Sequence, residues 1–131
     1  MNGILVTTLG RKICLHRLFE AAPTYTAPVY FRIGKGNDTP AAGDTHMETP
    51  ITEDWETKAI VAGYPSFDDT NLVVTVRGLV LTTEANVAGT ISEFGLMNSD
   101  ATKRLFSHAV FTAVTKNTSV QVIFVEKDRV V

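Results

Sequence analysis

Along the first twenty residues, Leu9, Ile13 and the Leu18–Phe19 pair recur at roughly helical spacing, while Arg11, Lys12 and Arg17 fall elsewhere. Apolar residues that return every three to four positions share one face of a helix, so an amphipathic helix is predicted over about 9–21. Thr8 stands where an N-cap hydroxyl would accept an early amide, and Pro23 ends the pattern. Before it, Ile4-Leu5-Val6-Thr7 predicts a short strand.

The period then shortens to two. Val29-Tyr30-Phe31-Arg32-Ile33 is β-branched and aromatic, and Gly34-Lys35-Gly36-Asn37-Asp38 closes it as a turn. Residues 37–57 are polar and interrupted by Pro40 and Pro50. A loop of that length inside a compact domain is uncommon and usually functional, so it is expected to be a contact arm reaching a neighbouring subunit. Lys58–Ala62 reads as a strand and Pro65–Asp69 as a turn. Asn71–Thr82 is the longest β-prone run, with Leu72, Val74, Val76 and Val80 on one face and Thr75 and Arg77 on the other. Gly78 interrupts it and is expected to mark a bulge. Three further strands are predicted at Gly89–Met97, Lys103–Val114 and Thr118–Glu126, with the short connections of hairpins or a meander. In the last strand Val122 and Phe124 face one way and Ile123 and Val125 the other. Such a strand is either central or covered by a partner. The fold class predicted is mainly β: an antiparallel β-sandwich with one N-terminal α-helix, in a single domain over 1–131.

Composition agrees with one soluble globular domain: 131 residues, 44% hydrophobic and 20% charged. A chain of this length buries about two thirds of the surface its unfolded form exposes, so it needs neither disulfide nor metal to hold a core. The net charge of −2 and the scatter of basic residues give no basic stripe, so no nucleic-acid partner is expected. One cysteine, Cys14, excludes an intrachain disulfide. The apolar start is too short for a signal peptide and no run approaches a membrane span, so synthesis and folding in the cytoplasm are expected, with no membrane partner.

A search for chemistry returns little. His16, His46 and His108 lack the short fixed spacing of a metal site. Cys14 adjoins Leu18 at i+4 and is expected to be a small buried hydrophobe. Gly34-Lys35-Gly36 lacks the remaining residues of a phosphate loop, and the pairs Glu53-Asp54 and Asp68-Asp69 lack the alternation of a calcium loop. Glu93 differs, because it interrupts the apolar run from Ile91 to Met97, where a carboxylate is costly to bury unless paired. Either it points outward while Ser92 points in, or it accepts backbone N–H bonds from a nearby turn. No catalytic residue, metal or cofactor is expected.

Two stretches resemble a family of small tailed-bacteriophage proteins encoded among tail and fibre genes. The first is Tyr30-Phe31-Arg32-Ile33-Gly34-Lys35-Gly36, followed by Pro40, Ala41 and Asp44. The second is Gly89-Thr90-Ile91-Ser92-Glu93-Phe94-Gly95-Leu96-Met97-Asn98, with Gly95 in its Gly-Leu step; a strand like Leu105–Phe111 and then Lys116 follow. Leu5-Val6-Thr7 and the helix also fit, while residues 45–88 match loosely. The resemblance implies a non-enzymatic virion structural protein at the tail, the baseplate or a fibre attachment point, and it supplies no catalytic residues. Because the chain stops at Val131 without a heptad stalk, an adaptor is expected over a complete fibre, with a capsid decoration protein as the alternative. Such a subunit would oligomerise with itself and with other virion proteins. Candidate interface residues are Asp44, His46 and Trp55 in the long loop, and the terminal Val130 and Val131. From another class, a carbohydrate-binding module would use Trp55 beside Tyr64.

Overall fold

The computed structural model describes residues 4–52 and 57–129. Strand β1 (Leu5–Val6) leads into helix α1 (Thr8–Phe19), followed by β2 (Pro28–Gly34), β3 (Lys58–Ala59), β4 (Ser66–Asp68), β5 (Val73–Val80), a short 3-10 turn (Asn86–Ala88), β6 (Thr90–Asn98), β7 (Leu105–Thr115) and β8 (Val122–Arg129). Two antiparallel sheets form, one ordered β1-β7-β6-β2-β3 and the other β4-β5-β8. The β-sandwich with one N-terminal helix is therefore present.

The core lies between the sheets. Phe31 and Phe94 of the larger sheet meet Phe124 of the smaller, with the Phe94 and Phe124 rings stacked 4.9 Å apart at 21° and Phe31 and Phe94 centred 5.8 Å apart. Ile33, Ile91 and Leu96 join from one side and Val76, Val80 and Val122 from the other. Offset aromatic pairs of this kind add to the stabilisation from burial. Gly78 belongs to this core. Its register opposite Phe124 is regular, so it is not the predicted bulge. A Cβ there would stand 3.2 Å from three carbons of the Phe31 ring, and its absence lets that ring lie against β5. The irregularities are elsewhere, at Ile91/Glu93 and Leu96/Met97 in the β6–β7 pairing.

The other face of the larger sheet is covered by its own chain. Segment 35–52 folds back over β2 and β6, held by the Gly34–Pro50 bridge and by the Ile51 amide donating to the Ile33 carbonyl. Met47 and Ile51 are each only 2% exposed, with Met47 packed on Met97 and Leu105. Gly95 makes room for it, since a Cβ would come within 2.9 Å of the Met47 sulfur. The described part of the predicted contact arm is thus a cover and does not project. Its polar residues hide two apolar anchors spaced by four, a pattern too sparse to read as a core segment.

Other expectations shift for local reasons. Thr7, not Thr8, caps α1: its hydroxyl accepts from the Gly10 amide at 2.9 Å and donates to the Leu105 carbonyl at 2.8 Å. The first half of the helix packs through Gly10 and Ile13 against β7 and His16 meets the Tyr25 ring edge-on at 4.8 Å, while Leu18 and Phe19 are 74% and 81% exposed. Cys14 is exposed as well, contrary to the buried hydrophobe expected. The predicted turn at 65–69 contains β4, because Asp68 moves the reversal downstream by accepting from the Thr70 and Asn71 amides. β7 and β8 do not pair as a hairpin; the chain crosses between sheets at residues 116–121. β8 is an edge strand, with Ile123 and Val125 44% and 47% exposed on its outer face.

Phe31 has no exposed surface at the centre of this packing. Phe31→Ala is expected to lower the unfolding free energy by about 3–5 kcal/mol. Urea denaturation would measure it, and a loss below about 1 kcal/mol would contradict the central position of this ring.

Candidate functional site

The densest polar cluster is built around Glu93, on the face of β6 opposite the aromatic core. Its side chain has no exposed surface. The carboxylate accepts from the backbone amides of Gly36 and Thr49, both at 3.1 Å, and from that of Glu48. It also faces His108 Nε2, from the neighbouring β7, at 2.9 Å. Ser92 assists from the same strand by donating to the Gly36 carbonyl at 3.0 Å. Of the two readings open for Glu93, the structure shows the second, with amide donors drawn from both ends of the folded-back segment.

The glycines of the Gly34-Lys35-Gly36 turn follow from this carboxylate. Added Cβ atoms at Gly34 and Gly36 would fall 2.2 and 2.7 Å from Glu93 Oε2. Glycine is needed at both positions for close approach, and no phosphate is required to explain it. The second carboxylate on His108 is Asp44, whose Oδ2 lies 2.7 Å from Nδ1 and also accepts from the Ala41 amide at 2.9 Å. Glu48 closes the loop at the surface by accepting from the Asn37 and Asp38 amides.

Charge states follow from the partners. Both ring nitrogens of His108 face carboxylate oxygens, which accept and do not donate, so the ring is an imidazolium. Its pKa is raised, first by the hydrogen bond to Glu93, then against the opposing effect of burial by Asp44. Burial alone would push Glu93 up; the bonds from His108 and from the Glu48, Thr49 and Gly36 amides outweigh it and hold the carboxyl below its usual range. Asp44 is lowered in the same way, with burial outweighed by the Ala41 amide and His108.

This chain of Asp44, His108 and Glu93 has the residue types of a catalytic relay; its inner end, Glu93, is closed, and its outer end, Asp44, is partly exposed in a surface pocket of about 430 Å³. His108 is 3% exposed and both nitrogens are engaged, so it can neither accept a proton from a bound molecule nor ligate a metal. Among the described residues no group of three or more potential ligands is placed to hold a metal ion. What the cluster does is fasten residues 35–50 to β6 and β7.

The remaining candidates scatter. His46 is exposed, meets the Thr45 hydroxyl at 3.1 Å, and lines one surface pocket with Asp44, Glu48 and His108. Trp55, Val130 and Val131, together with Glu53-Asp54, lie outside the described residues. Asp68 holds the β4–β5 turn. His108 itself had no signal in the sequence, since its partners are 15 and 64 residues away.

A second polar pair lies between the sheets. Glu126 and Asp128 continue the inward face set by Val122 and Phe124, and following that period two residues further would have found them. Glu126 is 1% exposed; its Oε2 accepts from Ser107 at 2.8 Å, and its Oε1 has no hydrogen-bond partner. Burial, with the Asp128 charge beside it, pushes the Glu126 carboxyl up to about 8, so it holds a proton at neutral pH. Burial raises Asp128 too.

No protein-family model, curated protein or solved structure matches this chain.

Two predictions separate these clusters. Glu93→Gln leaves a buried imidazolium short of a counter-charge and should cost about 3–5 kcal/mol. The stabilisation from Glu93 is complete above its ordinary 4.5 and is lost as pH falls through the lower folded value. That from His108 is complete below 6.5 and is lost as pH rises through the higher folded value. The gap in chemical-denaturation stability between wild type and variant should therefore be widest between those two values; a gap independent of pH would refute the ion chain. Glu126 works the other way. Its folded pKa is raised, so the stability it allows is complete below 4.5 and falls as pH rises towards about 8, by at most about 1.4 kcal/mol per pH unit. Glu126→Gln should remove that fall and exceed wild type in stability at pH 8, with the advantage vanishing in acid.

Proposed function

We propose that this chain is a non-enzymatic structural subunit of a tailed-phage particle, an adaptor at the tail, baseplate or fibre attachment point, acting by assembly with copies of itself and with other virion proteins. One observation carries the reading. The residues on which the family resemblance rests, Gly34, Gly36, Asp44, Glu93 and Gly95, come together in space around a carboxylate that fastens a loop to a sheet. At its centre Glu93 and His108 are buried with their polar atoms engaged by one another, by Asp44 and by backbone amides, an arrangement that fixes shape.

The surface supports the same reading. β8 leaves one edge unpaired along Val122–Arg129, and the exposed Ile123 and Val125 lie on that strand. An apolar edge strand left open is a template for pairing with another chain. Strand addition across such edges gives specific contact through main-chain hydrogen bonds.

Mass spectrometry of purified virions, with tail and head fractions separated, tests the proposal. The chain should be present at a stoichiometry comparable to other tail components and enriched in the tail fraction. Enrichment in the head fraction would reassign it to capsid decoration. Absence from both would remove the virion role.

A further inference from the structure

Large apolar side chains are not spread evenly over the surface. Leu15, Leu18 and Phe19 on α1 are 57%, 74% and 81% exposed, and Phe67 and Leu72, flanking the β4–β5 turn, are 72% and 58% exposed. A groove of about 510 Å³ runs beside α1, lined by Cys14 of the helix with Val6, Phe67, Leu72 and Phe106, while Leu15, Leu18 and Phe19 lie on the same helix outside that lining. Soluble domains rarely leave contiguous apolar surface of this kind without a partner.

Charge indicates what the partner is. The β4–β5 side of the groove carries Asp68 and Asp69, with Asp128 beside them. Asp68 is held ionised by the Asn71 side chain and by the Asn71 and Thr70 amides. The outward face of α1 carries the opposite sign. Arg11, Leu15 and Leu18 stand at i, i+4 and i+7, which puts one cation and two leucines on a single stripe directed away from Ile13 and Gly10. The stripe offers leucines and an arginine; the groove offers apolar walls with three aspartates and one arginine, Arg129.

We propose that the groove between α1 and the β4–β5 turn receives the α1 stripe of a second copy of this chain, with Leu18 seated against Phe67 and Leu72 and Arg11 facing Asp69. The inference rests on the reading of the chain as an assembly subunit and names a contact within it. Stripe and groove share a wall, because α1 supplies both the outward stripe and, through Cys14, one side of the groove. A single two-fold axis therefore lets each copy fill the groove of the other, and the contact closes as a dimer with no open end. This accounts for the exposure of Leu15, Leu18 and Phe19 on a helix whose second half is held in its own chain through His16 and Arg17 on Tyr25.

Light scattering on the purified full chain, at concentrations up to about 100 μM, a range that detects micromolar affinity, tests the contact. Wild type should show twice the 14.3 kDa chain mass. Leu18→Glu should return the mass to one copy, with a urea midpoint equal to that of wild type diluted below its dimerisation range, since Leu18 is 74% exposed in the single copy. Arg11→Glu and Asp69→Arg should each weaken the dimer at least tenfold, and the two together should restore it, which a misfolded variant cannot do. A monomeric wild type, a Leu18→Glu variant that keeps the doubled mass, charge reversals without mutual rescue, or a mass that climbs beyond two copies would each overturn the proposal. If wild type is monomeric while the chain is found in purified virions, the dimer contact fails and the structural role stands.

Discussion

A carboxylate buried without exposure is tolerable only if its charge is met on every side, and Glu93 is met by three backbone amides and an imidazolium. Much else in the larger sheet follows from that requirement. The amides come from residues 36, 48 and 49, so meeting the charge brings a long polar segment across the face of β2 and β6. Once there, the segment sets Met47 over Gly95 and Ile51 into the core. The glycines at 34 and 36 are what allows the chain to come close enough. Asp44 then completes the chain of charges from the covering segment itself, so the lock is made by the cover and the sheet together.

The two sheets are consequently unlike. The larger has the aromatic core on one face and its own loop on the other, and β6 is buried on both sides while Tyr30 and Arg32 of β2 stay half-buried. The smaller, of three strands, has a packed inner face and an outer face on which Ile123 and Val125 stay in contact with solvent. Between the sheets the inner row of β8 changes from Val122 and Phe124 to Glu126 and Asp128. That pair is accommodated by holding a proton, in contrast to Glu93, which stays ionised because donors surround it. Two buried glutamates in one domain thus take opposite charge states from the groups around them.

The same division between inside and outside bears on function. The ionisable groups with the strongest perturbations are closed off, fastening strands and loops. The reactive-looking cysteine sits on the wall of an apolar groove, where burial and the Asp128 charge raise its pKa and keep it a thiol. What the molecule presents outward is apolar relief with scattered charge, along β8, α1 and the β4–β5 turn.

The class of fold was legible because it depends on local alternation: period two along β5, β6 and β7, and an apolar–polar pattern in the first turns of α1, each settled by residues close in sequence. The suspicion that Glu93 is tied to a turn was legible too, since a lone acid in an apolar run implies a partner. Which turn, and that His108 and Asp44 join it, could not be read, because these contacts span 15 to 64 residues and no spacing rule links them. The course of residues 37–52 over the sheet could not be read for the same reason: their amides find their acceptor only when β6 is already beside β2. Gly78 looked like a break in a strand and is the space that Phe31 fills, a fact about the opposite sheet. Leu18 and Phe19 were grouped with Ile13 on one helical face, yet both are largely exposed, Leu18 standing on the stripe turned away from Ile13. Pattern along the chain determined which elements form and which face is apolar; only packing determined what each face meets.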